Sequence, residues 1–337
     1  MNWARSYSST WRVFRVNPDT WADAQALAGV DSVSVTRTAD GSLLESGSID
    51  LTGDIEPGYY RIVMTADQGG ELARVDVATM LCIANGGEYD YGVRTHKADG
   101  YSVLYPASVT AITAGGYAPA GVNGAEYAGD LLEEAINAPV EVEGNFTLNN
   151  PIVHEVGSSV LEAAWAVLEA GGYVIQIDGR GVVHICPKPK DPSLILDTQS
   201  EGLVLNGTSF TADESEIPNR YIVIDEATIA IAENNDPESR VSTVSRGYKV
   251  DEVDTSPTPV DGETLSEYAD RRLHELSMLK EEQSYTREYA EGVNLYSVVR
   301  ASLDALEGDF RVVSQTISCS NGITVAEKVE KETDLWQ

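Results

Sequence analysis

Histidine, cysteine and carboxylate side chains are the groups of this sequence that could support catalysis or bind a metal. The four histidines and three cysteines are spread along the 337 residues: His96, His154, His184, His274, Cys82, Cys186 and Cys319. No histidine stands at zinc-ligand spacing from another His, Cys or carboxylate, and no CxxC pair occurs. We expect ordinary structural or surface histidines, and small buried cysteines without disulfides, as in a reducing compartment.

Motifs for nucleophilic or phosphate chemistry are also missing from the sequence. It contains no GxSxG nucleophile elbow and no GxGxxG or GxxxxGK[ST] phosphate loop. The sequence therefore predicts no catalytic residue, no cofactor-binding residue, no metal ligand and no cofactor.

Carboxylates are abundant, so some of them cluster by chance. Glu133 and Glu134 fall on the exposed side of a predicted helix, and Asp251, Glu252 and Asp254 precede a loop. A glycosidase needs two carboxylates at a fixed separation in a cleft, which a sequence does not reveal. Residues 213–216 (Asp-Glu-Ser-Glu) could bind calcium, but the twelve-residue EF-hand pattern is missing. A solvated charge run is the favoured interpretation.

The net charge of −31, from 54 acidic and 23 basic residues, is distributed along the whole chain. It is −6 over residues 1–100, −9 over 101–200 and −16 over 201–337. A nucleic-acid-binding protein needs a basic footprint, which this sequence lacks. Two interpretations stay open: solubility through high net charge, or a surface past which a polyanion slides without binding. Neither a signal peptide nor a membrane span is predicted.

The strand patterns predict a β-rich α+β protein. Glycine is frequent, at 29 residues, whereas Phe and Met number 4 each. Residues 33–37, 59–65 and 72–83 alternate apolar and polar side chains, as strands with one buried face do. With turn residues between these strands, residues 1–105 predict a first β-barrel-like domain.

Residues 106–195 predict a small α+β domain inserted between two β-rich domains. Its predicted elements are helices over 125–137 and 160–170, then a hairpin of strands over 173–177 and 182–185 around a turn at 178–181. Ser159 and Glu162 form a capping box at the start of the second helix, and Gly171-Gly172 ends it.

Residues 196–337 predict a second β-barrel-like domain with one helix. Its predicted elements are a helix over 264–282, a long polar strand over 285–303, and a hairpin of strands over 311–319 and 323–329. Thr264 and Glu267 form a capping box for the helix. Asn321-Gly322 predicts a type I′ turn, with positive φ at both residues.

Five segments resemble phage tail hub proteins, the group of baseplate hubs and the amino-terminal regions of tail-associated proteins: residues 35–49, 58–64, 217–220, 265–273 and 285–289. The first two are similar to the opening barrel of that family, and the other three are similar to its second barrel. The family often has a Gly-Asp step where this chain has Asn294-Leu295. No wall-cleaving domain follows, so lytic activity is not expected.

The resemblance implies a structural virion protein and not an enzyme. It implies a homotrimer at the distal end of the tail tube, in which two barrel-like domains per chain match a hexameric tube. The implied partners are the tube or distal tail ring, the tape-measure protein, and tail tip or fibre proteins. DNA would pass through an acidic lumen without specific binding, since duplex DNA carries one charge per ~1.7 Å. The implied location is the tail tip, after assembly in the host cytoplasm.

A carbohydrate-active or wall-degrading protein of the same tail stays open as an alternative. A ring-forming hub is expected to be trimeric, whereas a hydrolase is free to be a monomer. A cell-surface adhesin domain is a third alternative, and the missing signal peptide counts against it.

Overall fold

A computed structural model describes residues 7–39, 41–53, 55–90, 93–197, 204, 209–225, 228–255, 257, 263–303, 306–320 and 322–336. The strands are β1 Ser8–Val16, β2 Asp23–Ala26, β3 Val30–Thr38, β4 Glu45–Leu51, β5 Gly58–Gln68, β6 Glu71–Asp90, β7 Val93–Tyr101, β8 Gly116–Ala118, β9 Val140–Val142, β10 Ile152–His154, β11 Tyr173–Ile177, β12 Val183–Pro187, β13 Pro192–Leu196, β14 Ser209–Ala212, β15 Arg220–Asp225, β16 Thr228–Glu233, β17 Asp251–Asp254, β18 Met278–Glu288, β19 Val298–Leu303, β20 Leu306–Cys319 and β21 Ile323–Asp334. The helices are α1 Tyr105–Val109, α2 Gly124–Glu133, α3 Val160–Gly171, α4 Thr243–Arg246 and α5 Leu265–Leu276.

Strands dominate and helices are few, which confirms the predicted β-rich α+β class. The chain forms two compact units: unit 1 comprises Met1–Thr208 and Ser284–Val329, and unit 2 comprises Ser209–Gln283 and Glu330–Gln337. These limits differ from the predicted block boundaries after residues 105 and 195. The three-block division stays a prediction.

A large sheet organises unit 1. Counting only the parts of β18 and β21 that belong to this unit, its strand order is β18-β21-β20-β3-β4-β7-β6-β5-β1-β2. The antiparallel pairing of β20 with β3 places Ile317 opposite Val35, so strands from the two outer predicted blocks are direct neighbours. In the part of the chain that the structure describes, this order is an open path and contains no closed barrel.

Alternation along these strands produces the core of the sheet. Val35, Ile49 and Ile317, from three neighbouring strands, are almost completely buried in one apolar cluster. The residues before and after each of them in its strand point to the opposite side of the sheet. Gly47 is needed beneath this cluster, because a Cβ there would lie 2.4 Å from the Met80 sulfur. The small residue lets the methionine fill the core.

Helices α1 to α3 and strands β8 to β12 form a second core in unit 1. The predicted capping box at the start of α3 is confirmed: Glu162 N donates to Ser159 Oγ at 3.1 Å, and Ser159 N donates to the Glu162 carboxylate at 2.7 Å. Gly172 ends this helix in the left-handed region, with φ 67°. The predicted hairpin is confirmed as β11 and β12, with Ile175 opposite Ile185.

Unit 2 contains a three-stranded sheet of order β16-β15-β17, packed on helix α5. Tyr221 and Val223 of the sheet contact Ala269 and Leu273 of the helix in one buried cluster. The predicted capping box of α5 is confirmed, since Glu267 N donates to Thr264 Oγ1 and Thr264 N donates to the Glu267 carboxylate.

The predicted end of that helix at residue 282 is wrong. Helix α5 ends at Leu276, where Ser277 Oγ donates to the Leu273 carbonyl, and β18 begins at Met278. Leu279 is buried and Lys280 is exposed, which is strand alternation. Leu276 and Leu279 have helical spacing in the sequence, and only the sheet pairing resolves the ambiguity.

The predicted strand over 285–303 is also interrupted. β18 ends at Glu288 and β19 begins at Val298. Between them, Gly292 and Tyr296 adopt positive φ of 83° and 65°, outside the extended region of a regular strand.

β20 and β21 are neighbours in the sheet, as the hairpin prediction required. Gly322 has φ 137°, which favours glycine. Asn321 lies outside the described residues, so the turn type stays a prediction. Among the helices that are described, none combines the length and apolarity needed to cross a membrane.

Candidate functional site: a hydroxyl face on the large sheet

Serine and threonine occupy most outward positions in one part of five neighbouring strands of unit 1: β18, β21, the second half of β20, β3 and β4. The first half of β20 differs, because Glu307 and Asp309 are exposed there. We call this surface the hydroxyl face; its members are Ser32, Ser34, Thr36, Thr38, Ser46, Ser48, Ser284, Thr286, Ser314, Thr316, Ser318 and Thr324. All of them are half-buried or exposed, and the strand residues beside them are mostly buried. This part of the sheet therefore presents a polar surface with few charges.

Strand register brings these hydroxyl groups together. Thr316 stands opposite Thr36, and Thr36 stands opposite Ser46. The next row joins Ser318, Ser34 and Ser48 in the same way. Cross-strand neighbours of this kind have Cβ atoms about 4.5–5.5 Å apart. The hydroxyl face is thus continuous across strands that are nearly 300 residues apart in sequence.

Local sequence accounts for each strand of this face but not for the face itself. Residues 32–38 and 314–318 alternate hydroxyl side chains with larger ones, the period-2 signal of a half-buried strand. The alternation is visible in the sequence, but it does not reveal that these strands share a surface. The surface forms because β20 pairs with β3, and these two strands are far apart in the sequence.

Few charged residues lie on the hydroxyl face or at the neighbouring positions of β7, where Asp99 stands opposite Ser48 and Lys97 stands opposite Asp50. The carboxylates are Asp50, Asp99 and Glu288, and the ammonium groups are Lys97 and Lys328. Ser32 Oγ donates to the Asp50 carboxylate at 2.7 Å. This near balance contrasts with the net charge of −31 for the whole chain.

A buried polar network lies beneath β18, β20 and β21. Glu327 accepts hydrogen bonds from Arg287 Nε at 2.9 Å, Gln315 Nε2 at 2.7 Å and Tyr285 Oη at 2.7 Å. Burial acts to raise the pKa of Glu327, but the charge of Arg287 and these hydrogen bonds outweigh it, so the pKa lies below its ordinary value. The network joins the three strands that carry one half of the hydroxyl face.

A second buried ion pair supports the other half. Arg37 Nε donates to the Glu45 carboxylate at 2.8 Å, and Arg37 Nη2 donates to the Val77 carbonyl at 3.1 Å. Complete burial raises the pKa of Glu45, and the charge of Arg37 opposes this effect. These contacts connect β3, β4 and β6 from inside the core.

The carboxylates singled out in the sequence do not come together as a catalytic pair. Glu133 and Glu134 stand exposed at the end of α2. Asp251 binds Arg220 through two hydrogen bonds of 2.6 and 2.5 Å. Asp254 accepts hydrogen bonds from two tyrosine hydroxyls, at 3.1 and 2.8 Å. The last two carboxylates therefore stabilise unit 2.

The segment proposed as a calcium alternative makes local contacts. Hydrogen bonds from the side chain and the backbone of Ser215 lower the pKa of Asp213, and Ser215 N donates to Asp213 Oδ1 at 2.8 Å. Glu214 forms an ion pair with Arg240 at 2.8 Å. Among the residues that are described, no group of three or more His, Cys, Asp and Glu is arranged to hold a metal.

The histidines have separate surroundings. His154 contacts the Tyr127 hydroxyl at 3.0 Å, and burial lowers the pKa of His154. His184 lies 3.5 Å from Asp178 and from Glu141, and the hydrogen bond with Asp178 raises its pKa. The three cysteines are free and buried, as predicted.

Comparison with known proteins identifies the fold. No protein-family model matches the sequence, and no curated protein matches it. The 43 kDa tail protein of prophage MuSo2 from Shewanella oneidensis is similar in structure, with a TM-score of 0.65 at 14% identity, over 96% of this chain and 98% of that one. A tail protein from Neisseria meningitidis MC58 is also similar in structure, with a TM-score of 0.66 at 13% identity, over 97% of this chain and 98% of that one.

A chain of the Francisella PdpA-VgrG complex is also similar, with a TM-score of 0.57 at 9% identity, over 97% of this chain and 58% of that one. At these identities the likeness establishes the fold alone. The resemblance to phage tail proteins stated from the sequence is confirmed at that level: the chain has the fold of phage tail proteins.

Proposed function

We propose that the protein is a structural hub of a phage tail, placed at the distal end of the tail tube. Three copies form a ring around the tail axis and join the tube to the tail tip or baseplate. The observation that carries this proposal is the likeness to two tail proteins over nearly the whole length of both chains. The ring is part of the virion, after assembly in the host cytoplasm.

The hydroxyl face is the surface we assign to the channel of this ring. Its described residues are mostly hydroxyl side chains, and none of them is a large apolar residue of the kind that a protein core or a permanent interface requires. Hydroxyl groups hold water and offer no fixed positive charge to phosphate. DNA can therefore pass along it without specific binding.

The charge distribution changes one detail of the sequence-based expectation. That expectation placed the acidic excess on the channel, whereas the described hydroxyl face has three carboxylates and two ammonium groups with its continuation on β7. We propose a weakly charged, hydrated channel, with most of the acidic residues elsewhere on the ring. The absence of a basic stripe is the property that matters for DNA passage.

The remaining assignments follow from the hub role. Residues 1–105 and 196–337 contribute the two tube domains, and residues 106–195 lie outside the tube. The partners are a tube or distal tail ring, the tape-measure protein, and tail tip or fibre proteins. The chain acts by assembly and has no catalytic activity.

Cysteine accessibility in the assembled protein tests this proposal. Ser48→Cys places a thiol on the hydroxyl face, and Val153→Cys places one on the exposed strand β10, where Val153 is 73% exposed. The natural cysteines are buried and are expected to stay unreactive. Light scattering first establishes the mass of the assembly.

We expect a trimer in which a small maleimide labels both variants, while a bulky polyethylene-glycol maleimide labels only Val153→Cys. A stable monomer at high concentration would contradict the ring. Equal labelling of both variants by the bulky reagent within a trimer would contradict the channel assignment.

A further inference from the structure

The three-stranded sheet of unit 2 has a second apolar face, opposite helix α5. Its residues are Ile222, Ile224, Ile229, Ile231 and Val253, which we call the isoleucine face. Ile229, Ile231 and Val253 are 62%, 54% and 51% exposed. Single exposed apolar residues are ordinary, but a contiguous group of β-branched residues marks an interaction site.

The strand register makes this group contiguous. Ile222 stands opposite Ile231 on one side and Val253 on the other, and Ile224 stands opposite Ile229. The alternating residues Tyr221 and Val223 point to the helix and are buried. The sheet is therefore apolar on both faces, and helix α5 covers one of them. A sheet with water on one side normally has polar residues there.

Strand β16 adds an open edge to the isoleucine face. In the described part of the sheet, β16 pairs with β15 and with no other strand. Its sequence, Thr-Ile-Ala-Ile-Ala-Glu, has high β-propensity and one charge. Natural proteins protect such edges with lysine, proline, bulges or a covering element. An added strand from another protein protects the edge and positions that protein next to the isoleucine face.

Charge decides which partner strand fits. The residues of unit 2 include 21 Asp and Glu but only 8 Lys and Arg. Near the isoleucine face, Arg220 is already paired with Asp251 and Lys249 with Glu233. A second copy of this chain would bring the same negative excess and be repelled, whereas a basic strand would be attracted.

We propose that the isoleucine face and the edge of β16 bind a partner protein through a strand that alternates apolar and basic residues. The backbone of the partner strand pairs with β16, its apolar side chains lie beside Ile229 and Ile231 on the same side of the sheet, and the rest of the partner protein extends over the isoleucine face towards Val253. The basic side chains of the strand point to the side of the sheet that helix α5 covers, in a unit with an excess of acidic residues. This proposal concerns unit 2 alone and does not depend on the hub role or the channel assignment.

A synthetic peptide that alternates lysine and valine over six residues is the probe. We expect it to bind the full-length protein, to slow hydrogen exchange of the β16 amides, and to bind about tenfold more weakly to Ile231→Asn. Binding should also weaken as salt rises, because ions screen the attraction. A glutamate–valine peptide of the same length serves as the charge control.

Leu72→Asn is the matched control variant, since Leu72 is 70% exposed in unit 1 and should not affect binding. Both variants change exposed side chains, and equal melting temperatures will confirm that they fold. Equal affinity of wild type and Ile231→Asn for the lysine–valine peptide overturns the proposal, as does equal binding of the glutamate–valine peptide. Self-association in sedimentation velocity that Ile231→Asn abolishes assigns the face to a second copy and also overturns it.

Discussion

Arg287 and Glu327 form an ion pair in the interior of unit 1, with their side chains 1% and 0% exposed. Arg287 Nε lies 2.9 Å from Glu327 Oε2, and Gln315 and Tyr285 donate to the same carboxylate. Each charge is out of water and depends on the other. Removing one partner leaves an uncompensated buried charge, which is far more costly than losing a surface pair.

Glu327→Gln is therefore expected to lower the free energy of unfolding by about 3–5 kcal/mol at pH 7. Asp309→Asn is the control, because the Arg300–Asp309 pair is about half exposed and its loss should cost no more than about 1 kcal/mol. Urea unfolding measures both variants. Equal small losses would show that the buried network contributes little.

The same carboxylate predicts a pH dependence. The folded-state pKa of Glu327 lies below its ordinary value of 4.5, so the unfolded chain takes up a proton more readily. Its contribution is fully present above pH 4.5 and is lost as pH falls through the folded-state pKa. The stability difference between wild type and Glu327→Gln should shrink below pH 4.5. A difference that is constant from pH 7 to pH 3 would contradict this assignment.

Gly179→Ala should destabilise unit 1 by about 2–3 kcal/mol. A Cβ at this position would lie 1.7 Å from the Asp76 carbonyl oxygen. The turn that contains Gly179 would have to move, and it would lose the hydrogen bonds that Arg61 and Trp21 donate to the Arg180 carbonyl. Gly116→Ala is the control, since its Cβ would meet no atom within 4 Å. Thermal unfolding measures the melting temperatures of Gly179→Ala and Gly116→Ala. Equal values would contradict the predicted clash with the Asp76 carbonyl oxygen.

Gly322→Val should cost roughly 1–2 kcal/mol, because a β-branched residue is poorly tolerated at φ 137°. Crowding does not contribute, since a Cβ at this glycine would meet nothing within 4 Å. Gly53→Val is the matched control, with equal space and no positive φ. Chemical unfolding measures the difference. Identical stability of the two variants would show that the positive φ of Gly322 does not disfavour valine.

Lysine on the hydroxyl face should slow DNA ejection from assembled phage. Ser48→Lys adds one cation per chain to the proposed channel, and Ser48→Asp adds an anion at the same place as its control. Each phosphate contact that forms should weaken about threefold between 50 and 200 mM salt. Ejection is followed by dye fluorescence. Equal rates for both variants at low salt would argue against the channel assignment.

The purified protein should produce no clearing band in zymography on bacterial cell walls. The basis is the sequence, which has no motif for a nucleophile, a metal or a phosphate; in addition, Asp251 is bound by Arg220 and Asp254 by tyrosine hydroxyls. A clearing band that Glu133→Gln with Glu134→Gln abolishes would establish the wall-degrading alternative.

Much of the local structure was predictable. The capping boxes at Ser159 and Thr264, the hairpin at residues 173–187 and the burial of the cysteines all appear as expected. Each depends on residues within a few positions of one another, or on a general preference for burial. The end of helix α5 was not predictable, because leucine spacing at 276 and 279 fits either a helix or a buried strand.

The alternation of side chains in the sequence is enough to place Thr36 and Thr316 on the side of their strands away from the apolar residues. That these two residues are neighbours follows from the pairing of β3 with β20, which is a tertiary contact. The tertiary structure likewise decided that Ile231 stands beside Ile222 on an uncovered face. Side-chain alternation is a property of a single strand, whereas register and strand order depend on contacts between distant segments.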